Sequence, residues 1–195
     1  MANEPQPGAS PLAPPPPKPS EMDQREDWFI TTPNPWTELV QLEYGADRTY
    51  ATTIERMVLN AEPAQRPALE QKLITALAQP ALRPAGRQFI CRMLGLIGSA
   101  ASVAALTPLL RADAMADAAR LALDGISDNS EVDSAYRAAL VHLSGPAKAG
   151  LIGSIALRGD KSALPELRSI AADEHQAKEV RTAALRAVDR LSAAS

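Results

Sequence analysis

An all-α fold is predicted, an α–α superhelix of about five antiparallel helix pairs, and three observations carry it. The segment AARLALDGI, Ala118 to Ile126, returns 65 positions later as AALRAVDRL, Ala183 to Leu191, with Ala118/Ala183, Ala119/Ala184, Ala122/Ala187 and Asp124/Asp189 identical. A small-residue helix recurring over tens of residues marks a stacked array, in which each unit buries its apolar face only against its neighbours. Aromatics make up only 4% of the chain, while alanine and leucine crowd its C-terminal two thirds, a bias towards helix formers. Apolar residues also fall at helical spacing, as in Leu69, Leu73 and Leu77.

The elements follow in order. Residues 1–19 hold eight prolines, which remove amide donors and favour extended polyproline geometry, so 1–34 is expected to be a disordered, Pro-rich acidic arm. PxxP spacing from Pro14 to Pro19 could serve a proline-binding module, but the same composition makes an ordinary semi-rigid tail. A domain of residues 35–195 should begin at Asn34, a good N-cap, with Pro35 at the first helical position and the first helix running to Gly45. Asp47 can cap the second helix, whose apolar face is Tyr50, Ile54, Met57, Val58 and Ala61, and Pro63 stops it. The pair 35–61 reads as an N-terminal cap.

A third helix covers about 64–78, and Pro84 opens a fourth, bearing Phe89, Ile90, Met93, Leu94 and Ile97 and ending at Gly98. Further helices are expected at about 100–111, 114–125, 131–143, 147–158, 161–172 and 176–192, with Asp113, Ser130 and Asp160 as caps. The repeats are therefore 64–98, 100–126, 131–159 and 161–192. Sliding the nine-residue element gives starts at Phe89, Ala118, Gly150 and Ala183, and Val103, Leu106 and Leu109 recur as Leu164, Leu167 and Ile170.

The paired helices, the LxxLxxLL-like spacing from Val103 to Leu110, Asp113 and Asp173 after first helices, and Val180-Arg181 opening the last helix resemble the HEAT-repeat family, in its lyase-like bacterial form. The resemblance covers about residues 64–192 and implies a HEAT-like solenoid. It implies no single activity, because such arrays serve many tasks. It also implies that Arg181 pairs with a loop aspartate, Asp113 or Asp173.

Charge narrows the partner. Residues 1–34 hold five acidic and two basic side chains, which accounts for the whole net charge of -3 and leaves the body neutral. Nucleic acid is not the expected partner, since phosphates demand clustered Lys and Arg. The N-terminus has no basic and apolar leader and no apolar run reaches membrane-spanning length, so the expectation is a cytoplasmic chain with no membrane contact. Cys91 is the single cysteine and lies among Ile90, Met93 and Leu94, which reads as a buried thiol. His142 and His175 lack metal-ligand spacing, and no nucleophile elbow or phosphate loop occurs, so neither catalysis nor a cofactor or metal is expected.

Candidate partner-binding residues come from the register. Two positions before the element stand Arg87, Ala116, Lys148 and Arg181, so three second helices carry a cation at one place and could form a basic ridge on the inner face. Ser154 and Arg158 are off pattern, where Ala122 and Ile126 stand in the copy before, and rule-breaking positions often mark function. Five of seven aromatics lie between 28 and 50; Trp36 reads as a cap of the array, while Trp28 and Phe29 serve either as cap or as anchors into another protein. The expected function is a noncatalytic protein–protein interaction scaffold binding a protein partner. The alternative is a lyase- or chaperone-like HEAT protein acting on a cofactor-bearing polypeptide.

Overall fold

Helix boundaries in the computed structural model, described for residues 33–112, 114–126 and 130–193, follow the local signals closely. Ten α-helices and no strand occur among the described residues. They are α1 (Pro35–Glu38, continued by a 3-10 turn, Leu39–Gln41), α2 (Thr49–Leu59), α3 (Arg66–Leu77), α4 (Pro84–Ile97) and α5 (Ala100–Leu106, continued as 3-10 through Thr107–Arg111). Then come α6 (Ala116–Asp124), α7 (Ser130–Ala139), α8 (Gly145–Arg158), α9 (Leu164–Ala172) and α10 (Lys178–Ala193). None is long and apolar enough to cross a membrane among the described residues. The proline-rich segment, Trp28, Phe29 and the proposed cap Asp113 lie outside the described residues.

Local chemistry explains most ends. Asp47 Oδ1 accepts from the Thr49 amide at 2.9 Å and the Thr49 hydroxyl at 2.7 Å, fixing the start of α2. The Ser99 hydroxyl accepts from the Ala101 amide at 3.3 Å and starts α5. Prolines sit in the first turns of α3, α4 and α8, where a missing amide costs nothing. Gly159 closes α8 in the left-handed conformation, φ 74°, and Asp160 then accepts from the Ser162 amide to open the next turn.

Two expectations are corrected. The first helix does not reach Gly45: it tightens into a 3-10 turn and Leu42 is extended, with ψ 123°. The Val40 carbonyl accepts from the Arg83 amide at 3.4 Å, so this stretch satisfies its backbone against the start of α4. In α3 the buried stripe is Glu70, Leu73, Ala76 and Leu77, and Leu69 is only half-buried. The helix is rotated so that a carboxylate enters the core.

The order of packing follows the chain. Helix α1 meets α2, α3 meets α4, α5 meets α6, α7 meets α8 and α9 meets α10, while α4, α6, α8 and α10 pack successively on one another. These last four carry the nine-residue element, and their burial is in register. Its second position is buried in all four copies (Ile90, Ala119, Leu151, Ala184), as is its fifth (Met93, Ala122, Ser154, Ala187). The spacing of one turn between these slots is what an inward-facing stripe requires.

Close approach of α4 and α6 sets the tightest constraint. A Cβ at Gly125 would lie 2.1 Å from the Gly95 carbonyl oxygen, and one at Gly95 would lie 3.2 Å from Ala122 Cα. Backbone faces backbone here, with no flexible side chain to yield. In α8, by contrast, a Cβ at Gly153 meets nothing within 4 Å.

Glu70 is the other unusual interior group. Its carboxylate accepts from the Ser99 amide at 2.7 Å, the Ser99 hydroxyl at 2.9 Å and the buried Ser102 hydroxyl at 2.6 Å, tying α3 to the first turn of α5. Burial opposes its ionisation, but the hydrogen bonds from Ser102 and Ser99 outweigh this and hold the carboxyl below the usual glutamate range.

Two outcomes are expected. Gly125→Ala should lower unfolding free energy by about 1–3 kcal/mol in urea titrations through overpacking, whereas Gly153→Ala should raise it by about 0.5–1 kcal/mol through helix propensity; equal effects would refute the close-contact account. Because the folded-state value of Glu70 is depressed, its contribution is full above the ordinary glutamate value and is lost as pH falls through the folded one. The stability gap between the protein and Glu70→Gln, about 1–3 kcal/mol at neutral pH, should therefore shrink as pH falls below the ordinary glutamate value; a gap independent of pH would show that Glu70 is not ionised in the fold.

Candidate functional site

The three cations expected to form a ridge all stand in first turns, of α4, α8 and α10. Arg87 turns inward: its Nε donates to the Leu82 carbonyl at 3.2 Å, and its Nη atoms to those of Leu77 and Gln79 at 3.4 Å. It closes the C-terminal end of α3, where carbonyls lack helical partners. Lys148 is buried, at 8% exposure. Asp173 lies below the usual carboxyl range because of hydrogen bonds from the Gln176 side chain and the His175 amide, with Lys148 adding a smaller electrostatic pull. Arg181 is half-buried, and its Nε has no hydrogen-bond partner. The implied Arg181–Asp173 pair is absent among the described residues; the Asp173 oxygens accept instead from the His175 amide and the Gln176 side chain at 3.0 Å each. Arg87 is thus spent on carbonyls at the end of α3, Lys148 is buried and Arg181 is half-buried, so the three do not present an exposed basic ridge.

Ser154 and Arg158, the off-pattern residues, are likewise engaged. The Ser154 hydroxyl donates to Asp124 Oδ2 at 2.8 Å and accepts from Arg120 Nη1 at 3.1 Å. Arg120 also donates to Asp117 and, at 3.3 Å, to Asp124, while the buried Tyr136 hydroxyl donates to Asp124 Oδ1 at 2.8 Å. Gly150 makes the room, since a Cβ there would lie 3.2 Å from Arg120 Nε. Arg158 Nε donates to Asp133 Oδ1 at 2.5 Å and its Nη1 to the Ile126 carbonyl at 3.0 Å. These polar groups join α6, α7 and α8 to one another. Burial, followed by the Asp124 charge, pushes the Tyr136 phenol up, and burial pushes the Cys91 thiol up to about 12. Neither group ionises near neutral pH. His142 and His175 are exposed, and no cluster of three His, Cys, Asp or Glu residues able to hold a metal occurs among the described residues.

An open feature remains on the outer side of the second helices. The fourth position of the element is Arg92, Leu121, Gly153 and Arg186, and the eighth is Leu96, Gly125, Leu157 and Arg190; all but Gly153 are exposed. Three of these are leucines exposed by 52% (Leu96), 61% (Leu121) and 69% (Leu157). Leu96 and Leu121 border a groove of about 500 Å³ between the segment Leu42–Arg48, α4 and α6. Tyr44, 66% exposed, forms one wall, Phe89 the floor, and Gly95, Ala118 and Ala122 give it depth. Gly45 turns the wall segment with φ 78°. Arg92 lies 5.4 Å above the Phe89 ring, and Arg83 holds Glu43 at 2.6 Å.

Sequence reasoning missed Tyr44, Leu96 and Leu121. Only the burial register, which places the fourth and eighth positions outward, could have found the two leucines. No family model, curated protein or solved structure matches the chain, so the site rests on its own geometry.

Proposed function

We propose that the chain is a noncatalytic HEAT-type solenoid of antiparallel helix pairs that binds a protein partner through the outer face of its second helices. The observation that carries this reading is the clustering of Tyr44, Leu96 and Leu121 around one groove on that face. Scattered exposed leucines are ordinary on any surface, but a contiguous apolar concavity is a feature of binding sites. The in-register burial of α4, α6, α8 and α10 supports the repeat architecture, and repeat arrays present extended surfaces for protein partners.

The test is in-cell cross-linking of the full-length chain against the triple variant Leu96→Asp, Leu121→Asp, Leu157→Asp. These side chains are exposed, so the variant should melt within about 4 °C of the parent. Specific cross-linked partners should be lost at unchanged expression. Partners kept in full by a folded variant would overturn the reading.

A further inference from the structure

We infer that the chain pairs with a second copy of itself through helix α10, the two helices running antiparallel about a two-fold axis close to Leu185. The repeat register defines the face. Third and seventh positions of the nine-residue element meet first and fifth positions of the following copy: Arg120 and Asp124 of α6 bond Ser154 of α8 at 3.1 and 2.8 Å, and a Cβ at Gly150 would lie 3.2 Å from Arg120 Nε. In α8 that same face is closed off, with Lys148, Ile152, Ile155 and Ala156 all buried. The matching residues of α10 are Arg181, Leu185, Val188 and Asp189. Here Leu185 is 55% exposed, Asp189 is exposed, and Arg181 and Val188 are only half-buried. In stacked arrays a face that stays in water is polar, whereas Leu185 and Val188 stand at the centre of this one.

Charge says what covers this face. Arg181 stands four residues before Leu185 and Asp189 four after, so the three share one ridge of the helix. Reversing a second α10 across Leu185 sets each Arg181 opposite Asp189 of the other copy, twice over, with the two leucines between them. Neither charge is committed within the chain: among the described residues Arg181 and Asp189 make no hydrogen bond or ion pair, and Arg181 Nε is shut away from solvent without a partner. At the ends of the same stripe Lys178 comes opposite Ser192, a neutral group. Arg186 and Arg190 lie about 100° further round the helix and flank the seam without entering it. A parallel pairing would instead set Arg181 on Arg181 and Asp189 on Asp189, like charge on like. Head-to-tail stacking finds no vacant acceptor in the element, since its first and fifth positions in α4, Phe89 and Met93, are already buried within the chain.

Sedimentation equilibrium on the full-length chain tests this. A monomer–dimer equilibrium with a Kd of about 1–100 μM is expected, the range for a contact of one helix per copy. Leu185→Asp and Asp189→Arg, both at exposed positions, should each weaken it by about tenfold or more while melting within about 4 °C of the parent. Arg181→Asp should weaken it likewise, and combining Arg181→Asp with Asp189→Arg should bring the Kd back to within about threefold of the parent, because the exchanged charges meet again across the axis. An equimolar mixture of the two single charge variants should associate about tenfold more tightly than either alone, since each supplies the charges the other lacks. Leu185→Cys should cross-link to its own copy under mild oxidation, Cys91 being buried, and Leu157→Asp, on the outer face, should change nothing. A chain that stays monomeric at about 200 μM, a dimer indifferent to Leu185→Asp and Asp189→Arg, or a double charge variant no better than the single ones would overturn the proposal. If Arg181→Asp fails to fold, the substitutions at Leu185 and Asp189 decide alone. A dimer lost with Leu157→Asp but kept with Leu185→Asp places the contact on the outer face and overturns the pairing through α10.

Discussion

The rest of the structure depends on how closely the second helices approach one another. At Gly125 the backbone of α4 leaves no space for a methyl group, and at Gly95 a methyl would press on the Ala122 backbone at 3.2 Å. Small residues there let the helices come within backbone contact, as alanine and glycine do at ridge-and-groove interfaces. One consequence is internal, since the two backbones touch directly at this point. Another is external, since a seam of Gly95, Ala118 and Ala122 between larger neighbours is a depression. The groove and the tight contact are two sides of one choice of residues.

Polar ties add to this packing elsewhere. Glu70 joins α3 to α5, the Arg120–Asp124–Ser154–Tyr136 cluster joins α6, α7 and α8, Arg158 bonds Asp133, and Arg137 bonds Asp160. Each such bond contributes about 1 kcal/mol net when made, and more is lost when one partner is removed and the other stays buried. Their larger effect is on specificity. A leucine seam tolerates sliding by a turn, but a carboxylate held by two hydroxyls and an amide, as Glu70 is, does not, so register between units is fixed by these pairs. That accounts for Ser154 and Arg158 standing off pattern without reference to a partner.

How much of this was legible follows from the same division. Slots facing inward must be small or apolar in every copy, so sliding one nine-residue element along the chain located α4, α6, α8 and α10, and Gly159 and Asp160 announced the end of one helix and the start of the next. Glu70 was not legible, because Leu69 and Leu73 offered an equally good stripe 100° away and only the Ser99 and Ser102 donors on another helix decide the rotation. The short first helix was hidden for a like reason: its end is set by an amide of Arg83, more than forty positions on. The cation slot was seen, yet its meaning was not, since periodicity places Arg87 on a helix but does not reveal the carbonyls of Leu77, Gln79 and Leu82 lying within its reach.

Packing constrains the inward slots alike, and it leaves the outward ones free. Arg92, Leu121, Gly153 and Arg186 share one outward slot and range from arginine through leucine to glycine, so packing within the repeat does not select them. A lone exposed leucine such as Leu157 needs no explanation, given how much of any folded surface is apolar. Leu96 and Leu121 are different because they flank one cavity together with Tyr44, which the sequence contributes from a separate segment. Burying the three in a complex would remove apolar area from water at roughly 25 cal/mol per Å², a gain unavailable to the isolated chain.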